Sequence, residues 1–156
     1  MAEMQNTKTI AVNRQARHNY FVVESFETGL ELVGTEVKSL RAGTVNLKDS
    51  WCSIENGEMF VKQMHISPYE KGNIFNKDPL RVRKVLMHKR EIMRLFGLTK
   101  QQGYTLIPLS LYFKGSRVKL QLGLCKGKDQ RDKRQDAAKR DATREMDRAM
   151  KNFNHR

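Results

Sequence analysis

Two apolar runs joined by a short break, in GYTLIPLSLYFKGSRVKLQLGL (103–124), do most to narrow what this chain can become. Leu109, Leu111 and Phe113 alternate in the first run, and Val118, Leu120 and Leu122 in the second. A period of two lays such residues on one face of a half-buried strand. Lys114-Gly115-Ser116 is a polar break containing glycine, so the two runs read as an antiparallel hairpin. Strands paired in this way expose edges unless the sheet closes or is covered.

The preceding residues repeat the theme. A short strand starts near Ile10, and the basic polar stretch NRQARHN follows it. YFVVESFETGLELVG (20–34) holds two apolar runs around Glu27-Thr28-Gly29, which fits two strands or one strongly bent strand. In TEVKSLRAG (35–43), Val37 and Leu40 stand three apart, Thr35 is a candidate cap and Gly43 a candidate stop, which favours a short helix over a continued strand. WCSIENGEMFVKQMHI (51–66) predicts a hairpin turning at Asn56-Gly57. YEKGNIFNKDPLR (69–81) reads as a turn-rich loop. HKREIMRLFG (88–97) predicts a helix with an Ile92, Leu95 and Phe96 stripe and a stop at Gly97, and TKQQG (99–103) a further short helical stretch. The expected class is mainly β: a small antiparallel closed barrel of the oligonucleotide-binding type with about three short helices. A two-layer α+β sandwich is the alternative.

Charge divides the chain. Thirty Lys and Arg against seventeen Asp and Glu give a net +13, and eleven of the basic residues fall within 126–156. That segment has too little apolar surface to join a core. The expected organisation is a loose N-terminus (1–9), a barrel (10–126) and a basic C-terminal tail (127–156), disordered when free and helical when bound. In the tail Ala138, Ala142, Met146, Ala149, Met150 and Phe153 recur at three- or four-residue steps, while Lys139, Arg140, Arg144, Arg148 and Lys151 can reach phosphates. No run of eighteen apolar residues spans a membrane, and MAEMQNTKTIAVN lacks a signal-like apolar stretch, so a cytoplasmic protein is expected.

The residues carry no catalytic pattern. Neither GxxxxGK[ST] nor GxGxxG occurs, no carboxylate pair is set on one apolar wall, and an enzyme is not expected. Cys52 and Cys125 lie in strand-like runs and are expected as buried free thiols. His18, His65, His88 and His155 form no metal-ligand spacing, so no cofactor or metal is expected. The positive signal is distributed charge beside aromatics: Arg14 and Arg17 next to Tyr20; Arg81, Arg83 and Lys84 continued by Lys89 and Arg90; Lys114, Arg117 and Lys119 on the final hairpin. Brought together on a barrel these sets would make one electropositive face for a nucleic-acid backbone.

At GTEVKSLRAG (34–43), HISPYE (65–70), RKVLMHKREI (83–92) and GLCKGKDQRDKR (123–134) the chain resembles the small protein B family, bacterial partners of transfer-messenger RNA. The resemblance implies a barrel related to the oligonucleotide-binding fold. It implies binding of the tRNA-like domain, one protein per RNA, and delivery to stalled ribosomes with the tail in the empty decoding site and messenger channel. It also places Glu36, Lys38 and Arg41 at or near the RNA, with Glu36 accepting from a base or ribose hydroxyl or orienting Lys38 or Arg41. A helix-cap or salt-bridge role for Glu36 is the alternative. Lys126, Lys128, Asp132, Lys133 and Arg134 would meet ribosomal RNA where the tail leaves the barrel. A general nucleic-acid-binding or structural ribosome-associated protein is the competing reading.

Overall fold

The computed structural model describes residues 6–72, 76–100 and 103–128. Its elements are β1 (Thr7–Val12), α1 (Arg14–Asn19), β2 (Tyr20–Leu30), α2 (Gly34–Arg41), β3 (Val45–Asn46), β4 (Trp51–Glu55), β5 (Glu58–Lys62), β6 (His65–Ile66), β7 (Arg83–Leu86), α3 (Lys89–Thr99), β8 (Tyr104–Lys114) and β9 (Arg117–Gly127). The main sheet runs β1-β8-β4-β5-β7-β2-β9, and a β8–β9 pairing closes it into the expected antiparallel barrel, with β1 added on the outer edge of β8. β3 and β6 form a separate two-stranded sheet. Leu111, Leu120, Leu122, Met59 and Val61 are fully buried inside the barrel, and Ile92 and Leu95 of α3 and Leu40 of α2 join them. Each such side chain contributes roughly 1.5–3 kcal/mol by leaving water. Both cysteines are buried free thiols.

Several local expectations shift. β1 begins at Thr7, ahead of Ile10, with Thr7 opposite Lys114, so residues 7–9 belong to the sheet. Residues 20–30 are one strand with an irregularity between Val22 and Glu24. The Asn56-Gly57 turn has φ of 53° and 77°, the left-handed pair that a type I′ hairpin needs. α3 passes through Gly97 to Thr99, because Leu98 still packs against the core. Gln101 and Gln102 of the second helical stretch lie outside the described residues, as does the tail beyond Lys128.

The strict alternation expected in β8 is broken. Pro108 stands opposite Leu122 and Ser110 opposite Gln121, so Leu109 is the extra residue of a bulge. A bulge suits a residue that has no N–H for the ladder. Its effect is to turn Leu109 outward with Ile107, into a second small cluster with Ala16 and Cys125, while Leu111 points inward. The carbonyls on this stretch take up Asn13: its N–H donates to the Leu109 oxygen (2.8 Å) and its Nδ2 to that of Pro108 (3.0 Å). Its Oδ1 in turn caps α1 by accepting from the Ala16 N–H. The NRQARHN stretch is thereby a helix fixed to the barrel wall, and Ala16 is the residue that seals it.

Glu36 and Arg83 depart furthest from expectation. Both side chains are buried, at 4 % and 1 % exposure, and for Glu36 the helix-cap and salt-bridge alternative is what the structure shows. Glu36 Oε1 accepts from the Val33 N–H (3.0 Å) and from Arg81 (2.6 Å), and Oε2 accepts from Arg83 Nε. Arg83 also donates to the carbonyls of Met64 (2.7 Å) and Pro79 (3.1 Å). α2 starts at Gly34 with Val33 as its cap residue, and Glu36, not Thr35, reaches back to close the first turn. Burial opposes the carboxylate, but the bonds from Arg81, the Val33 N–H and Arg83 outweigh it and hold the carboxyl below its usual range.

Glu36→Ala leaves Arg83 buried without its counter-charge and is expected to destabilise the protein by about 3–5 kcal/mol, read from the chemical-denaturation midpoint. A carboxyl depressed in the folded state stabilises above its unfolded value of about 4.3 and loses that stabilisation as pH falls through the folded value. The parent should therefore lose stability on acidification more steeply than Glu36→Gln, and parallel acid-unfolding curves would contradict this account.

Candidate nucleic-acid interface

The barrel does not gather the three basic runs on one face. It distributes them to two ends and a side.

The first surface is where the chain leaves β9. α1 carries Arg14 and Arg17, both exposed, and Tyr20 begins β2 opposite Gly127. Phe21 stands opposite Lys126. Lys128 Nζ donates to the Arg17 carbonyl (3.1 Å) and lies 4.7 Å from the centre of the Phe21 ring, which is 40 % exposed. The Lys128 N–H donates to the Asn19 carbonyl, tying the outgoing chain to the end of α1. Arg14, Arg17, Tyr20, Lys126 and Lys128 thus share one neighbourhood, although their sequence positions are far apart.

The second surface is the outer face of β8, β9, β2 and β7 near the Lys114–Arg117 turn. Lys119 stands between Tyr112 and Gly29 in register, and Gly29 stands opposite Leu86. Glu27 organises the face: it accepts from the Tyr112 hydroxyl (2.5 Å) and from Lys114 Nζ (3.0 Å). Those two hydrogen bonds lower the Glu27 carboxyl against a small opposing effect of burial. For Tyr112, burial and the Glu27 contact both raise the phenol. Leu86 leans over Gly29 beside Lys119, since a Cβ on residue 29 would come within 3.1 Å of Leu86 Cβ. Leu86 is 47 % exposed. Lys84 follows on the same strand and pairs with Glu58 (3.1 Å). The face combines cations for phosphates, an organised acceptor and donor pair, and apolar surface for a ribose or base. Lys84, Lys114 and Lys119 were singled out in the sequence, whereas Glu27, Tyr112 and Leu86 beside them were not. Their signal was their place on strands facing a lysine, and that needs the register.

The remaining expected residues are scattered. Lys38 stands over Tyr69, 5.4 Å from the ring centre, in a cleft beside the start of α2. Arg41 lines a groove with Lys8 and Phe113 near the β8–β9 turn. Lys89 opens α3 close to the Gly57 turn, and Arg90 is exposed next to it. Arg83 and Glu36 are internal, as described. Asp132, Lys133, Arg134, Lys139, Arg140, Arg144, Met146, Arg148, Met150 and Lys151 lie outside the described residues. Among the described residues no group of three His, Cys, Asp or Glu is placed to hold a metal.

Known proteins show the same outline. Residues 10–152 match the family model described as SmpB protein. This chain belongs to the SmpB protein family. The SsrA-binding protein of Clostridium botulinum (strain Hall) is 60% identical over 151 residues, covering 97% of each chain. That of Clostridium kluyveri is 62% identical over 146 residues, covering 94% of this chain and 93% of the relative. A solved chain described as "tmRNA-SmpB: a journey to the center of the bacterial ribosome" superposes with a TM-score of 0.65 at 46% identity, covering 80% of this chain and 91% of that one.

The organisation of the second surface is open to direct measurement. Glu27→Gln removes the carboxylate that keeps the Tyr112 phenol protonated, so that phenol should titrate closer to the ordinary value of about 10. Ultraviolet titration reads it, with Tyr112→Phe identifying the component among the four tyrosines. An unaltered profile would separate Glu27 from Tyr112.

Proposed function

We propose that this chain is a non-catalytic cytoplasmic protein that binds the tRNA-like domain of SsrA RNA, also called transfer-messenger RNA, and delivers it to stalled ribosomes for trans-translation. The observation that carries the reading is the presence of two separate basic surfaces on one closed barrel, in a chain of this family. Lys119 and Lys126 are seven residues apart on the last strand, about 23 Å at roughly 3.3 Å per residue. A protein that must hold one RNA while meeting another needs such a separation, since one shared face would make the two partners compete.

The β8–β9 turn end, with Lys84, Lys114, Lys119, Glu27, Tyr112 and Leu86, suits the shaped RNA, because it offers hydrogen bonding and apolar contact besides charge. The other end, with Arg14, Arg17, Tyr20, Lys126 and Lys128, suits ribosomal RNA, because the chain runs directly from it into residues 129–156. Those residues supply further cations, Arg131, Lys133 and Arg134 coming first in sequence with Asp132 among them, for the decoding site and messenger channel. One protein per RNA is sufficient in this arrangement. No described helix is long and apolar enough to cross a membrane.

Filter binding against a transcript of the tRNA-like domain should show tight association that weakens with salt, and far weaker binding to duplex DNA of equal length in the same buffer. Equal affinities would favour a general nucleic-acid binder. Lys119→Ala should lower the slope of log K against log salt by about 0.7–0.9. Truncation after residue 131 should keep the unfolding transition and the RNA affinity while abolishing tagging on stalled ribosomes. Loss of the thermal transition in the truncated protein would contradict this division of labour.

A further inference from the structure

A third surface remains, and neither end of the barrel uses it. The start of α2, Tyr69, Lys71, Gly72 and Lys77 border a cleft of about 630 Å³ that, among the described residues, is lined by no acidic side chain. Glu36, the acid of the first helical turn, is turned inward to Arg81 and Arg83, so its carboxylate does not line this cleft.

Tyr69 is held in place with unusual care for a loop residue. The Asn76 side-chain amide grips its backbone twice, accepting from the Tyr69 N–H (2.9 Å) and donating to its carbonyl (2.8 Å). The Gly72 N–H donates to the same carbonyl (2.9 Å). Gly72 has to lack a side chain for this, since a Cβ there would come within 2.7 Å of the Asn76 amide oxygen. A ring fixed by its own backbone, beside three flexible lysines, is a rigid stacking surface with mobile charge around it. Lys38 over the ring is a weak exposed cation–π contact that base stacking can replace.

We propose that this cleft is an additional RNA subsite that takes one unpaired nucleotide, its base stacked on Tyr69 and its flanking phosphates on Lys38, Lys71 and Lys77. Lys38 swings from the ring to a phosphate when the base enters. Asn76 is a positioning residue that acts through Tyr69. The inference rests on the RNA-binding reading above and adds a contact on a different side of the barrel.

The test uses the full chain and a transcript of the SsrA tRNA-like domain, with affinity measured across a salt series. Tyr69→Leu should weaken binding about 5- to 150-fold, the equivalent of roughly 1–3 kcal/mol, whereas Tyr69→Phe should bind like the parent. Lys38→Ala with Lys77→Ala should lower the salt slope by about 1.5 in all, while Lys48→Ala, exposed and remote, sets the value for a lysine outside the site. Asn76→Ala should weaken binding with the slope kept, and thermal melts identify any variant that has lost its fold. A parent that fails to bind the transcript sinks the RNA reading itself. A parent that binds, with Tyr69→Leu and the double lysine variant matching it in affinity and slope, overturns the subsite alone. A lowered slope with full affinity in Tyr69→Leu means phosphate contact without a base, and also overturns it. Unchanged RNA binding with lost ribosome co-sedimentation gives the cleft to a ribosomal partner instead and overturns it equally.

Discussion

The ladder between β8 and β9 is the constraint on which the rest depends. β8 gives one whole edge to β9 and divides the other, with Leu106 opposite Cys52 of β4 and Ser110 to Lys114 beside β1. β9 returns along β2 over almost its full length. Closure in this way leaves few unpaired N–H and C=O groups in a sheet that would otherwise template aggregation. It also packs Leu111, Leu120 and Leu122 where no water reaches them. The same ladder is a ruler: residues near the Gly115 turn go to one end of the barrel and residues near Gly127 to the other.

Two local devices then place charged groups on that frame, and each uses a buried polar contact. The Leu109 bulge offers carbonyls that Asn13 takes up, so α1 is welded to the wall and Arg14 and Arg17 are presented where the chain leaves the barrel. The Glu36–Arg83 pair does comparable work on the other side, joining α2 to β7 and to the carbonyls of Met64 and Pro79. A buried ion pair contributes little net stability, because both charges surrender water. Its value here is geometric. It fixes where α2 starts relative to Met64, Pro79 and Arg81, and it keeps an acid off the surface.

Net charge explains attraction to RNA but not what is recognised. Surface cations reach only about 8–10 Å through physiological salt, so the two ends of the barrel act as separate fields. At the β8–β9 turn end the cations come with an organised carboxylate and phenol and with exposed Leu86, the combination that suits the shaped RNA in the proposed function. At the end where the chain leaves, the described cations sit with Tyr20 and Phe21 at the root of a much longer basic segment. Placing function in both ends accounts for the charge distribution better than one broad face does.

Much of the architecture follows from period and punctuation. The alternation through 103–124, the Asn56-Gly57 turn and the Ile92 and Leu95 stripe each determine an element locally, because strand and helix periods and left-handed turns depend on neighbouring residues alone. Charge and family motifs likewise determined the kind of partner. What local pattern could not decide was which side each residue faces. Leu109 points outward because a bulge at Pro108 slips the register, and nothing in the alternation of leucines announces that. Glu36 and Arg83 stand in motifs that look like RNA-facing chemistry, yet they meet each other in the interior, forty-seven positions apart. Glu27, Tyr112 and Lys119 become one site only when β2, β9 and β8 lie side by side. Burial and register are properties of the closed sheet, so the tertiary structure alone decided which charges face outward and which hold the barrel together.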